Sequence, residues 1–171
     1  MIRSVAVAAM ILSLSACSAY SRYAAAIIRD VDVPTQAIVR VVSRLQATVV
    51  RGRVPADSIP LWAKELRKVA TLASHGVSDF AKIRPPDQHL QSDHSRLLLT
   101  ITKQSAAVTA AAAAAEACVA SPGDNCDQLT STDYYKILDP IADAQVNVRW
   151  RRGDIAQDLN SHGVTISQRI P

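Results

Sequence analysis

Four histidines, three cysteines and one arginine cluster are the groups in this 171-residue chain best suited to chemistry. Their spacing limits what that chemistry is. His75 and Asp79 stand at i and i+4, which lets a carboxylate orient an imidazole or lets two ligands share one helix face; a surface hydrogen-bonded pair is the commoner outcome. His89 precedes His94 by five positions, so on a helix the two rings point to different faces and cannot easily share a metal. His94 falls on an apolar stripe, either as the polar end of a ligand pocket or as a core histidine bonded to a backbone or hydroxyl partner. The core reading is the expectation. Glu65 and Glu116 are the only glutamates, and neither opens the Glu-x-x-His motif that a di-iron bundle needs. Ser161-His162 lacks a G-x-S-x-G elbow. There is no C-x-x-C-H, P-loop or dinucleotide fingerprint. The residues therefore support no enzyme class, cofactor or metal, and the chain is expected not to be an enzyme.

The first sixteen residues have the three parts of a secretory signal: a positive start at Arg3, an apolar run from Val5 to Leu14 and small residues before a cut site. The run is too short to span a bilayer. Leu14-Ser15-Ala16-Cys17 resembles the lipobox of bacterial lipoproteins. The resemblance implies cleavage before Cys17, acylation of its thiol and new amino group, and anchoring to a membrane by diacylglycerol and acyl chains. It places the protein outside the cytoplasm, on the cell membrane or outer envelope. Two or more acyl chains make such residence stable where a single chain is marginal.

Removing residues 1–16 leaves a length that suits one domain with a single core. Without Arg3 the formal charge of +4 falls to +3. The basic residues are scattered and form no long tract, so nucleic-acid binding has little support. Cys118 and Cys126 remain as an even pair in an oxidising compartment, which reads as a disulfide around a loop containing Pro122-Gly123. Closing so short a loop stabilises by about 2.5 kcal/mol in the chain-entropy model.

The periodicity of the mature chain is almost wholly helical. Residues 17–33 are expected as an anchor-proximal spacer, helical over Tyr23 to Arg29, until Pro34 resets the chain with Asp32 as a cap. A first helix is expected from Pro34 to Arg51, with Ile38, Val41, Val42, Leu45 and Val49 inward and Gly52 as the stop. A second runs from Ile59 or Pro60 to Lys82, capped by Ser58, through Trp62, Leu66, Val69, Ala73, Val77 and Phe80. A third runs from Pro86 to about Ala120 through Leu90, His94, Leu97, Ile101, Val108, Ala112, Ala115 and Val119. Its six consecutive alanines, Ala110 to Ala115, favour helix and allow close approach of a neighbour. A fourth starts near Ser131 or Thr132 and reaches Leu159 with Tyr134, Leu138, Ile141, Val148 and Ile155 inward, its continuity through Pro140 left open. Together these predict an all-α antiparallel four-helix bundle over residues 34–160 and a tail from 161 to 171.

Ile83-Arg84-Pro85-Pro86-Asp87, followed by His94 and an apolar helix, resembles small helical lipoproteins of actinobacteria, including mycobacteria. The resemblance covers residues 60–120 and implies a helical envelope protein without an assigned activity. Arg149-Trp150-Arg151-Arg152 is the densest basic cluster and a candidate interface to lipid headgroups, an acidic envelope polymer or a protein partner. The plainer expectation is a solvated turn with the indole tucked into the bundle. The leading functional expectation is a lipid-anchored structural or interaction module. The alternative is a carrier that holds an apolar small molecule or lipid between its helices, with His94 at the polar end.

Overall fold

Pro34 does not interrupt its helix. In the computed structural model, which describes residues 19–121, 126–130 and 134–167, residues 19–27 (α1) are helical and run through a π-helical turn, Ile28–Asp32, into α2, Val33–Gln46. A proline has no N–H to offer the carbonyl four residues back, and its ring crowds that carbonyl. The widened turn, in which the Val33 N–H donates to the Ile28 carbonyl five residues earlier, accommodates both defects. From residue 19 the expected spacer is therefore the first half of a core helix, with Tyr23, Ala24, Ile27 and Val31 buried. Asp32 makes no capping bond; its carboxylate is used in the core instead. Across from the turn stands Gly76 of α3, where an added Cβ would collide with the Asp30 carbonyl oxygen and lie 3.0 Å from Pro34 Cγ. Only glycine permits that approach.

The remaining elements are α3 (Ile59–Phe80), α4 (His89–Ala120), the single turn α5 (Asp127–Thr130) and α6 (Tyr135–Ser161). Apart from one isolated bridge, Val50 to Arg53, all regular structure among the described residues is helical. α2 stops at Gln46, five residues before the expected Arg51. The chain then turns at Arg51 and Gly52, both with positive φ, as in the tight turns that favour glycine. Ser58 precedes α3 without a side-chain capping bond. α4 begins at His89 and not at Pro86, because Asp87 does the capping: its Oδ1 accepts the Leu90 N–H at 2.9 Å. α6 is continuous through Pro140. It ends in a Schellman motif at Gly163, whose N–H donates to Asn160 while the Val164 N–H donates to Leu159. That reversal returns Ile166 to the core, so Val164 and Ile166 of the expected tail pack on the bundle. Ser131, Thr132 and the Pro122-Gly123 turn lie outside the described residues, as does everything before Ala19.

The helices pack as a bundle with α3 on α4, α4 on α6, and α1–α2 across α3 and α6. The inward stripes are those expected, except that Val42, Val49, Val77 and Tyr134 are half-buried and Val119 is 46 % exposed while Cys118 turns inward. The core divides into two apolar clusters. One surrounds Trp62, Leu66, Ile38 and Val108; the other surrounds Tyr23, Phe80, Leu97 and Ile155. Polar residues mark the division along the chain: Thr35 on α2, Gln104 and Ser105 on α4, Gln145 on α6. Thr35 donates to Gln104 Oε1 at 3.2 Å. The Gln104 and Gln145 Nε2 atoms are buried without a partner among the described residues. Buried polar layers of this kind fix register at a cost in stability.

Candidate functional site

Tyr23 on α1, Phe80 at the end of α3 and His94 on α4 converge because residues 19–27 form a core helix. The Tyr23 hydroxyl and His94 Nδ1 are 3.0 Å apart, and the imidazole stacks on Phe80 with centroids 4.4 Å apart. Burial lowers the His94 pKa from its usual 6.5 and pushes the Tyr23 phenol above its ordinary value, with the Asp93 and Asp87 charges adding to the effect. A neutral imidazole exchanging one hydrogen bond with a neutral phenol is a packing arrangement. His94 also borders a groove of about 630 Å³ lined by Arg84, Asp87, Gln91 and Leu98.

Beside this cluster, one end of the bundle is tied by three side chains. Tyr20 donates to the Asp87 carboxylate and stacks on His162 with centroids 4.2 Å apart. His162 Nε2 lies 3.8 Å from Asp87 Oδ2. Burial works to raise the Asp87 carboxyl, but the Tyr20 hydroxyl, the Leu90 and His89 N–H groups and the His162 charge together hold it below the usual range. The same hydrogen bond pushes Tyr20 up to about 12. The start of α1, the α3–α4 connection and the end of α6 thus meet at one level.

The basic cluster splits. Arg152 is 2 % exposed and reaches Asp32 in a forked pair, with Nε 2.9 Å from Oδ1 and Nη2 2.7 Å from Oδ2. Its Nη1 donates to the Ser167 carbonyl. Arg151 makes an exposed pair with Asp154 at 3.4 Å, and Arg149 is exposed. Trp150 is 72 % exposed. The expected solvated turn with a tucked indole is corrected: the segment is mid-helix, the indole projects outward, and the buried member is an arginine. Sequence spacing gave no signal for this, because the partner of Arg152 lies 120 residues away.

His75 is exposed and Asp79 pairs with Lys82 at 2.8 Å, so the i, i+4 couple is not closed by a hydrogen bond. Ser161 donates to the Asp158 carbonyl and does not engage His162. Cys118 and Cys126 are joined, with Cα atoms 4.7 Å apart, a separation suited to a disulfide. Cys17 lies outside the described residues. The described residues hold no group of three or more His, Cys, Asp or Glu that could bind a metal ion. Between α4 and α6 runs a groove of about 470 Å³ bordered by Arg96, Leu99, Lys103, Asp143, Asn147 and Arg151. No known protein family, curated protein or solved structure matches the chain.

Proposed function

We propose that this is an extracytoplasmic lipoprotein: residues 1–16 are removed, Cys17 carries the acyl anchor, and an antiparallel four-helix bundle follows as a non-enzymatic structural or interaction module. The observation that carries the non-enzymatic part is how the interior polar groups are used. Arg152 is spent on Asp32, His94 on Tyr23, and Thr35 on Gln104. These groups hold helices together and are not turned toward a common cleft. The Cys118–Cys126 bond supports an oxidising compartment, and Leu14-Ser15-Ala16-Cys17 supports the anchor.

The carrier reading rests on the groove beside His94. Its lining by Arg84, Asp87, Gln88 and Gln91 suits a polar ligand better than an apolar one, and Ala111, Ala112 and Ala115 are fully packed. The module reading is preferred. Detergent phase partition of cells expressing the native chain and Cys17→Ala tests it: the native protein enters the detergent phase and the variant the aqueous phase. Identical partition of the two would refute the anchor.

A further inference from the structure

Exposed apolar side chains occur on most of the helices, and Trp150 is the most exposed of the large ones. Leu99 on α4 is 58 % exposed, and Val146 and Trp150 on α6 are 54 % and 72 % exposed. Val146 and Trp150 are one turn apart. Leu99 borders the groove between these helices together with Asn147 and Arg151, the sequence neighbours of Val146 and Trp150. The surrounding cations are Arg96, Lys103, Arg149 and Arg151. Among the described residues Arg96 pairs with the part-buried Asp93 at 3.6 Å and Arg151 with the exposed Asp154 at 3.4 Å, while Lys103 and Arg149 make no ion pair. Asp143 is the carboxylate in the groove. An exposed indole and two aliphatic side chains near Lys103 and Arg149, which make no ion pair among the described residues, suit a surface that settles into the headgroup layer of an anionic membrane.

The position of the anchor argues for that occupant. Only Ser18 separates Cys17 from Ala19, the first described residue of α1, so the acylated residue is less than about 10 Å from α1 along the chain. The start of α1 lies level with His162 through the Tyr20 stack. Trp150 is twelve residues back along α6, about 18 Å from that level. A body held so close to the bilayer can bring the outer face of α6 to it by tilting.

Resting on the reading of Cys17 as the acylated residue, we infer that the α4–α6 face, with Trp150 at its centre, is a second membrane contact that lays the bundle against an anionic lipid surface. The chain carries its own reporters. Trp62 is fully buried, with its Nε1 donating to Thr48 at 3.0 Å, and Trp150 is the other tryptophan. The emission of the native chain minus that of Trp150→Phe isolates Trp150 without disturbing the core. The native protein is placed in vesicles of phosphatidylglycerol and acyl-brominated phosphatidylcholine, and its intact mass is taken from the same sample. The expected result is an acylated Cys17 with the Trp150 emission blue-shifted and lost to the bromines, while the Trp62 emission persists. Acylation together with a Trp150 emission that stays solvent-like and open to iodide overturns the membrane contact, leaves the anchor standing and assigns the face to a protein partner. A mass without acyl groups overturns both.

Discussion

Replacing one member of the Asp32–Arg152 pair is expected to be among the most damaging single changes this fold can suffer. The side chains are 8 % and 2 % exposed, and three N–H···O contacts of 2.7 to 3.2 Å join them. Arg152→Met keeps the aliphatic stem but strands the Asp32 carboxylate in the core. Removing one partner of a buried pair costs about 3 to 5 kcal/mol. Against a total stability on the order of 5 to 15 kcal/mol, that is a large fraction, equivalent to a fall of roughly 10 °C in Tm for a domain of this size. Asp32→Leu is expected to cost as much, by stranding the guanidinium. The double variant removes both charges and is expected to recover most of the loss, since apolar replacements of buried pairs are often neutral or stabilising. Urea unfolding followed by helical circular dichroism measures all four corners of the cycle. Strictly additive losses, or a loss below about 1 kcal/mol for Arg152→Met, would refute the view that this pair fastens α6 to the π-helical turn.

Gly76→Ala is expected to lower stability by several kcal/mol, because the new methyl meets the Asp30 backbone and cannot be relieved by a side-chain rotation. Gly153→Ala, with open space around it, is expected to raise stability by about 0.5 to 1 kcal/mol; paired thermal melts distinguish them. Burial depresses the His94 pKa below 6.5 in the folded state, so its contribution is complete above the unfolded value and is lost as pH falls through the folded one. Unfolding free energy measured against pH should therefore decline below about 6.5, and His94→Leu should remove that portion of the slope. Replacing Cys118 and Cys126 together by serine is expected to cost about 2.5 kcal/mol, read as a lower urea midpoint that matches the native chain under reduction.

How far the sequence carried depends on the range of the forces involved. The faces of α2, α3 and α4 were legible, since Ile38, Val41 and Leu45, or Trp62, Leu66, Val69 and Ala73, declare themselves through helical spacing alone. Helix ends were less so. Asp87 captures the Leu90 N–H and moves the start of α4 past both prolines, a choice that depends on one side-chain rotamer. The role of residues 19–33 was hidden because Pro34 is a breaker by local rules. The π-helical turn that admits it is stabilised by tertiary packing against Gly76 and by the partner Asp32 finds on α6. Trp150 and Arg152 read alike as neighbours in a basic cluster, although two residues of helical rotation send one to solvent and the other to the core. Val119 and Cys118 show the same one-residue ambiguity at the alanine-rich end, where small side chains define the stripe weakly.

The anchor is the premise on which the proposed location and the membrane contact both depend. Its most direct test is the intact mass of the membrane-fraction protein, native and after reduction with alkylation, beside Cys17→Ala. The account predicts a chain that begins at an acylated Cys17, with Cys118 and Cys126 alkylated only after reduction, and a Cys17→Ala chain without acyl mass. An unprocessed native chain beginning at Met1 with free thiols at 118 and 126 would contradict it.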